Sequence, residues 1–596
     1  MSDSLMGWYE KELGLLLEGG AQFSKKHPEL ARHLGSNTDG VDDPHVARVV
    51  ESFALLTAHL SRQQSEESVN IYSSLLDIVF PLCVQTMPSA SQIRIAPSKN
   101  HPSVSVLPSG TRFRAYIDDD RYCQFHTTSD LELCPFDIID SSIEMRPFGR
   151  EGIRYPKQAE AILALELHML DTSLSFGDLG DFTELTIHFK GLSRLQAMMY
   201  DFLCRDLCKI ILVDDSGMQV TLPLGGFSPV GFNAKDSMIT HDNTNLIDYQ
   251  MMAELFTWPE LFYGFRLAGI GDALQDFSGS EVTLLFCLEN MAEELEQSIR
   301  YVSFLLGCAP VINLFDHVGE PIVVDHRRLE YSVVPDSHSP NVMEVQRIKK
   351  VLDITGEQPE LLQPLFGLQH RHKDHTRFWS YMPVEDEVEQ YGHLSLTNTD
   401  LKPNTNQTML LSPHLICNNG NQVLEIPSRP RLECIDNIAL QQSAKMIMQP
   451  TPPVRRRRDM KTKLDLLVHL KPNLVSFLES NDPAKQLRTL MSLYTTRNSS
   501  SCTAWIESLV SMKASHLVAP IRISGHQCFA QGNELLITLD PAYLKNASVM
   551  MFTHLLDFLA AGFAGFHSFI QIVVLLKGKQ GEYMRCTRRH GCQINR

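Results

Sequence analysis

The stretch VINLFDHVGEPIVVDHRRLEYSVVPD, residues 311–336, combines two runs of strand-forming residues with a charged cluster between them. Valine, isoleucine and aromatic residues favour extended backbone, and the Gly-Glu-Pro sequence at 319–321 is typical of a turn. The cluster DHRR, residues 325–328, contains a carboxylate, an imidazole and two guanidinium groups. These groups could serve acid–base chemistry or clamp a phosphate, or they could belong to a charged turn of a large assembly protein.

The four charged side chains do not converge if the strand continues through them. Alternation places Asp325 and Arg327 on one face of the strand, and His326, Arg328 and Glu330 on the other. We therefore favour a structural role, in which ion pairs fix the strand or a contact between domains. A metal-dependent or Asp/His/Arg-dependent hydrolase or nuclease that uses residues 325–328 is the alternative.

The N-terminal region has the pattern of amphipathic helices. Asp43 suits an N-cap, and Pro44 suits the first helical position, where its missing N–H costs nothing. One face of this helix carries Val46, Val49, Val50, Phe53, Leu56 and Leu60. Such a face has to be buried, either inside the fold of this subunit or against helices of a partner.

From about residue 90 the hydrophobic period changes to two, which predicts strands up to about residue 230. Residues 281–289 are predicted to form another strand and residues 290–307 an amphipathic helix, whereas 412–430 is typical of a loop. The predicted class is α+β multidomain, because helical and strand patterns occupy separate regions. The predicted divisions are a helical region 1–90, a β-rich domain 91–290, a mixed β and loop domain 291–448, a linker 449–463 and a C-terminal α+β domain 464–596.

Composition limits the function classes. The chain has 596 residues and a formal charge of −17, which argues against nucleic acid as the main ligand. No signal peptide and no long apolar run is visible, so we expect a soluble, cytosolic protein without direct membrane insertion. The thirteen cysteines are scattered, which is typical of reduced thiols.

Sequence motifs of catalysis or metal binding are weak. A phosphate-binding loop, an HExxH helix and a GxSxG elbow are missing from the sequence. His370, His372 and His375 could bind a transition metal, but the basic residues between them oppose a cation, so a solvated loop is favoured. The arginine run 455–458 is interpreted as a solvated linker, and RCTRRHGC at 585–592 as a frayed tail. We therefore predict no catalytic residue, no cofactor and no bound metal.

Several stretches together resemble one known family over nearly the whole chain. They are WYEKELGLLLEGGAQFSKKHPELARHLG (8–35), DDPHVARVVESFALLTAHL (42–60), LLDIVFPLCVQTMPS (75–89), PLGGFSPVGF (223–232), YQMMAELFTWPELFYGF (249–265), residues 311–336, LVHLKPNLVSFL (467–478), LRTLMSLY (487–494) and FTHLLDFLAAGFAGFHSF (552–569). On these residues the chain resembles the TssF family, also called ImpG or VasA, of baseplate subunits of the bacterial type VI secretion system.

The resemblance implies a non-enzymatic role and an architecture related to the wedge proteins of contractile phage tails. TssF-like proteins form a wedge with TssG, two copies of TssF to one of TssG, together with TssK and TssE. Wedges surround the VgrG hub and form the platform on which the sheath and tube assemble. The implied partners are therefore TssG, TssK, TssE, a second TssF copy, the VgrG hub and the sheath. The implied location is the cytoplasm, docked at the inner face of the inner membrane through the baseplate and the membrane complex.

The resemblance also gives the N-terminal helix a possible assembly role. Amphipathic helices at the start of the chain suit a helical bundle that is shared with partner subunits. Val46, Val49, Val50, Phe53 and Leu56 are the candidate interface residues, and packing within the subunit itself is the equally open alternative.

Overall fold

The computed structural model describes residues 5–590 apart from short gaps. The gaps are 34–35, 38–39, 42, 84, 98–102, 151, 181, 240–246, 339–341, 366–375, 384–390, 399–407, 437, 439–442, 456–461, 463, 467–481, 496–499, 524–525 and 565–567. The chain divides into two compact units, of which the first comprises Met1–Val84 and Arg457–Leu467 and the second Gln85–Arg456 and Val468–Arg596.

The described part of the chain contains α-helices in both units. They are α1 (Leu5–Lys26), α2 (Pro28–His33), α3 (Pro44–Val79), α4 (Ser193–Arg205), α5 (Ile247–Thr257), α6 (Ile270–Leu274), α7 (Glu293–Ser298), α8 (Pro483–Tyr494), α9 (Ser500–Ser508) and α10 (Val549–Phe563). No helix among these residues has the length and apolar character needed to cross a membrane.

The described strands lie in the second unit, except for the first two, which belong to the first unit. They are β1 (Ser36–Asn37), β2 (Gly40–Val41), β3 (Ala90–Arg94), β4 (Ser105–Leu107), β5 (Arg112–Tyr116), β6 (Tyr122–Thr127), β7 (Leu131–Leu133), β8 (Phe136–Met145), β9 (Ala161–Met169), β10 (Glu184–Lys190), β11 (Leu207–Val213), β12 (Gln219–Leu222), β13 (Phe227–Pro229), β14 (Gly264–Ala268), β15 (Glu281–Leu288), β16 (Ser303–Leu305), β17 (Cys308–Ile312), β18 (Phe315–Val318), β19 (Ile322–Val324), β20 (Glu330–Ser332), β21 (Glu344–Asp353), β22 (Glu360–Pro364), β23 (Arg377–Met382), β24 (His393–Asn398), β25 (Met409–Asn418), β26 (Leu432–Cys434), β27 (Lys445–Met446), β28 (Leu509–Ile523), β29 (His526–Leu539), β30 (Ser568–Leu576), β31 (Glu582–Arg585) and β32 (Arg589–His590). Together with the helices, these strands confirm the α+β multidomain class.

The start of α3 follows directly from its sequence. The Asp43 carboxylate accepts a hydrogen bond from the His45 N–H at 2.8 Å, and Pro44 occupies the first helical position. The helix continues to Val79 and is followed by Phe80 and Pro81. The stretch Pro44–Val79 forms one long helix, because no proline after Pro44 interrupts its backbone hydrogen bonds.

Strand order in the second unit depends on contacts between distant parts of the chain. One sheet has the order β12-β11-β15-β9-β8 and a second the order β13-β14-β10-β16. A third, β26-β5-β6-β17-β3-β27, combines strands from 90–127 with strands from 308–312 and 432–446. The predicted domain boundaries stay a prediction, and this sheet contains residues from both sides of the one drawn at 290.

The sheet β18-β25-β21-β22-β23-β24-β20, with β19 also paired to β25, contains three short strands of the stretch at 311–336, namely β18, β19 and β20. Its central strand β25 occupies part of 412–430, so the loop predicted there is wrong over residues 412–418. Burial alternates along β25, and the polar outward-facing positions gave this strand the appearance of a loop. The helix predicted at 290–307 is limited to Glu293–Ser298 and a following 3-10 turn, because the chain then enters β16.

The predicted linker 449–463 is partly tied to the sheet that contains β3. The Thr451 N–H donates to the Ala90 carbonyl at 2.9 Å, and Val454 exchanges backbone hydrogen bonds with Met87 at 2.8 and 2.9 Å. Residues 456–461 and 463 lie outside the described residues. The first half of this segment is therefore bound to the fold, and the linker as a whole stays a prediction.

A buried junction joins α4 to the C-terminal region. The Asp201 carboxylate accepts hydrogen bonds from the Met550 N–H at 2.8 Å and the Val549 N–H at 3.2 Å, and Ser548 also donates its hydroxyl to it. These donors are the free backbone groups at the start of α10, where a negative group is favoured. The Tyr200 hydroxyl lies 3.1 Å from Nδ1 of His554, one turn further along α10.

The buried histidines make stability depend on pH. Burial, with a smaller contribution from the nearby Arg266 charge, lowers the pKa of His188 to about 4. Both ring nitrogens of His188 lack a hydrogen-bond partner within the described part of the chain. Because the unfolded imidazole titrates near 6.5 and the folded one near 4, its contribution to stability is complete above pH 6.5 and is lost as the pH falls toward 4.

We expect His188→Leu to weaken the acid sensitivity of the fold. Between pH 6.5 and 4.5 the free energy of unfolding of the variant should fall less than that of the parent, by about 2 kcal/mol, because the unfolded variant has one fewer site to protonate. Urea titrations at the two pH values measure this difference. His516→Leu, at an exposed position of β28, is the control, and an equal effect in both variants would contradict the assignment.

Candidate interaction surface

The first unit is built on a pair of helices, α1 and α3. Helices α1 and α3 pack against each other, and the Ser61 hydroxyl donates to the Glu12 carboxylate at 3.0 Å. On α3 the fully buried side chains include Ala54 and Ala58, which lie one turn apart on the same side. Ser61, which bonds Glu12 of α1, lies on this same side of α3, so the two alanines are on the face that packs against α1.

A second apolar strip on α3 is exposed. Val49, Phe53, Leu56 and Leu60 follow one another at intervals of four, three and four residues, and their exposed fractions are 66%, 57%, 62% and 65%. This spacing places them along one face of the helix. We call Val49, Phe53, Leu56 and Leu60 the outer stripe.

The five predicted interface residues divide between two environments. Val49, Phe53 and Leu56 belong to the outer stripe, whereas Val46 and Val50 are half-buried. Leu60, which the sequence-based selection left out, extends the stripe by one further turn. Its helical spacing places it on the same face as the predicted interface residues, although it is not one of them.

The DHRR cluster forms a tight turn between β19 and β20. The Asp325 carboxylate accepts hydrogen bonds from the Arg327 N–H and the Tyr331 hydroxyl, both at 3.1 Å, and the His326 N–H donates to the Tyr331 hydroxyl at 3.0 Å. The backbone hydrogen bond from Arg327 holds the pKa of Asp325 below its usual range, and the Tyr331 hydroxyl adds to this effect. His326 has a φ of 57°, in the left-handed region.

The strand alternation predicted through this cluster is therefore wrong, and so is the predicted ion pairing. Residues 325–329 lie between β19 and β20. Neither Arg327 nor Arg328 forms an ion pair with any residue that the structure describes, and both side chains are exposed. Asp325 acts on the backbone of its own turn. The cluster has a structural role, as predicted, but hydrogen bonds of Asp325 and Tyr331 hold the turn together, and ion pairs do not.

The geometry of this turn does not resemble a catalytic centre. The Asp325 carboxylate already accepts from two donors, and the two guanidinium groups project into solvent from an exposed turn. General acid–base chemistry needs groups that converge on a reacting atom in a sheltered site. The four side chains of residues 325–328 do not provide such a site.

The other candidate residues lie only partly within the described residues. The histidine segment that contains His370, His372 and His375 lies outside the described residues. Within the residues that are described, no three His, Cys, Asp or Glu side chains are grouped as metal ligands. In the arginine run, Arg455 pairs with Glu344, and 456–458 are not described.

The frayed tail predicted at 585–592 is wrong for its first six residues. Arg585 pairs with Glu534 at 2.5 Å, and Arg589 pairs with Asp557 at 2.8 Å. Cys586 is buried, and burial raises the pKa of its thiol to about 12. A thiol in this environment is not a reactive nucleophile. Strands β31 and β32 both pair with β30, so the segment is part of that sheet.

Comparisons with known proteins agree over the full length of the chain. The family model described as "Type VI secretion system, TssF" matches residues 1–593. The chain is 22% identical to "Type VI secretion system component TssF1" of Pseudomonas aeruginosa, over 100% of both chains.

Solved structures resemble the chain in fold. One chain of a TssK-TssF-TssG baseplate subcomplex, determined by cryo-electron microscopy, has a TM-score of 0.71 and 18% identity, and the match covers 91% of this chain and 99% of that one. A chain of a structure described as the baseplate complex from the type VI secretion system has a TM-score of 0.55 and 18% identity, and the match covers 98% and 99%.

The backbone conformation at His326 leads to a stability prediction. We expect His326→Val to lower the free energy of unfolding by about 1–2 kcal/mol, because a β-branched residue is strongly disfavoured at positive φ. His326→Asn is the matched control and should be close to neutral, since asparagine tolerates this region. Urea titration of the purified variants measures both values. Equal losses in the two variants would mean that side-chain contacts of His326, and not its backbone, determine stability here.

Proposed function

Because the chain belongs to the TssF family of the type VI secretion system, we propose that it is a wedge subunit of the baseplate. Its role in this proposal is structural and non-enzymatic. It assembles with TssG, TssK, TssE and a second copy of itself around the VgrG hub, with two copies of this chain per TssG. The wedge then supports the sheath and its contraction, in the cytoplasm and docked at the inner face of the inner membrane.

The observation that carries the proposal is the outer stripe. Its four large apolar side chains lie on one face of a long helix, while the opposite strip of the same helix packs on α1. Contiguous apolar surface of this kind marks a site of association, because single exposed apolar residues are ordinary but an ordered row is not. Helical spacing of the row suits the face of another helix.

The energy available from the stripe is sufficient for association. Complete burial of one valine, leucine or phenylalanine side chain contributes about 1.5–3 kcal/mol. Four side chains that are each more than half exposed in the subunit therefore hold several kcal/mol, which a partner helix can gain. Association also costs rotational and translational entropy, so contacts outside the stripe have to contribute to the binding free energy as well.

The fold similarity supports the identity of the first partners. The description of one similar structure places TssF together with TssK and TssG in a baseplate subcomplex. We extend TssG and TssK to this chain as its proposed direct partners. In this proposal the outer stripe contributes to a helical bundle with TssG.

Co-expression tests the proposal. The tagged chain is produced together with the TssG-like protein of the same organism, and the mass of the purified complex is determined. We expect a stable complex with two copies of this chain per partner. A well-folded monomer that does not bind the partner would contradict the proposal.

The stripe itself is tested with the double variant Phe53→Glu/Leu56→Glu. We expect at least a hundredfold loss of affinity for the TssG-like partner, because two carboxylates would be transferred from water into an apolar contact. Both positions are exposed in the subunit, so circular dichroism of the variant should match that of the parent. The matched control is Ile139→Glu, at a position of β8 that is 61% exposed. Equal binding by the double variant and the control would exclude the stripe as the contact.

A further inference from the structure

The turn at residues 325–329 presents an apolar side chain next to two cations. Leu329 is 90% exposed, more than any other large hydrophobic residue in the described part of the chain. It directly follows Arg327 and Arg328, whose side chains are also exposed. We call residues 325–329 the basic turn.

The basic turn is held in one conformation. Its hydrogen bonds converge on Tyr331, whose ring lies in a buried cluster with Val324, Val333 and Leu394. Because Tyr331 is fixed by that cluster, the position of the turn is fixed relative to the sheet. The positive φ of His326 adds local strain, which persists only where the surroundings determine the conformation.

The charge of Arg327 helps to lower the pKa of Asp325, but neither guanidinium group forms an ion pair within the described part of the chain. Other arginines of the second unit do, such as Arg94 with Asp137 and Arg112 with Asp436. The carboxylates nearest in sequence to the pair are Asp325, which accepts from the turn itself, and Glu330. The basic turn therefore offers cations whose hydrogen-bonding capacity is available to a second molecule.

We propose that the basic turn is a docking element that binds an acidic surface of another protein subunit. In this contact Arg327 and Arg328 pair with carboxylates, and Leu329 enters an apolar pocket between them. Arginine binds carboxylates with two parallel hydrogen bonds, which fixes orientation as well as position. This surface is separate from the outer stripe, and the proposal goes beyond the wedge function.

The chemistry favours a protein over a nucleic acid. A leucine that is almost fully exposed gains little against a phosphate backbone, whereas a pocket lined by apolar side chains stabilises it. Nucleic acid binding also requires an extended basic footprint, and the net charge of the chain is −17. Charge complementarity thus selects an acidic polypeptide surface.

The size of the turn defines the kind of contact. A few residues bury much less than the roughly 800 Å² per partner of a standard interface. The contact therefore acts within an assembly that other surfaces hold together, where the local concentration of the partner is high. Its expected effect is on register and orientation within that assembly.

Site-specific photo-crosslinking tests the proposal in cells that contain the complete secretion system. Leu329 is replaced by p-benzoyl-phenylalanine, which keeps an apolar side chain, and the crosslinked peptide is identified by mass spectrometry. The reference position is Val323 of β19, which is also exposed. We expect Leu329 to crosslink at least fivefold more than Val323, to a protein segment with net negative charge.

The charge dependence is tested in the same crosslinking background with Arg327→Glu/Arg328→Glu. We expect at least a tenfold loss of the crosslink, because like charges would then face each other. The control is Lys513→Glu/Lys545→Glu, which makes the same change in net charge at two exposed lysines and should retain the crosslink. Replacement of two acidic residues by lysine in the crosslinked segment should restore binding by the reversed variant.

Three results would overturn the proposal. They are a crosslink at Leu329 no stronger than at Val323, a crosslink to a neutral or basic segment or to nucleic acid, and equal loss in the reversed variant and the lysine control. An unchanged melting midpoint of the reversed variant shows that a loss is not caused by unfolding. Failure of the TssG co-expression test would leave these outcomes unchanged, since the crosslinked subunit is identified independently.

Discussion

Helix α3 has two apolar strips, and the first unit covers only one of them. The alanine strip packs closely against α1, whereas the outer stripe remains exposed. Apolar surface in water costs about 25 cal/mol per Å², so this arrangement is stable only to the extent that the alanine contact and the helix itself offset the cost. The same exposed area becomes a source of free energy as soon as a second helix covers it. In the proposed assembly, this exposed area of the isolated subunit is the source of the binding free energy.

The second unit contains a contact of the opposite kind, in which a buried charged group is satisfied from within the unit. Asp201 supplies the acceptor for the free N–H groups at the start of α10 and thereby fixes the orientation of that helix against α4. Burial raises the pKa of Asp201 to about 6, while its hydrogen bonds to Ser548, Met550 and Val549 act in the other direction. Because the carboxylate only accepts hydrogen bonds here, the bonds observed are those of its ionised form. A unit whose helices are joined by buried hydrogen bonds of this kind can hold its surface elements at fixed positions.

Local sequence signals predicted what depends on local backbone chemistry. The Asp43–Pro44 start of α3 is confirmed, as is the strand predicted at 281–289, which spans Glu281–Leu288. The order of strands was outside the reach of the sequence, because pairing of β3 with β17 joins residues more than two hundred positions apart. A period of two indicates that a strand exists, but it does not identify the neighbour of that strand.

The basic turn shows the same limit at a single site. Alternation was extended through residues 325–328 because the flanking residues are strand formers, and nothing local in DHRR requires a turn. Tyr331, which is six positions after Asp325, supplies the hydroxyl that closes it. Of the candidate interface, the sequence identified the helix and three residues of its outer stripe. It could not separate these from Val46 and Val50, because the position of α1 decides which apolar strip is covered.

The two exposed surfaces differ in the physical term that each supplies. Hydrophobic burial along the outer stripe is large but non-directional, and a helix can slide by one turn along such a row and still bury similar area. Charged hydrogen bonds from the basic turn contribute less energy but demand a defined geometry. The wedge subunit that we propose would need both terms to keep one shape. In this proposal a helix contact along the outer stripe holds the subunits together, and the basic turn excludes the neighbouring registers.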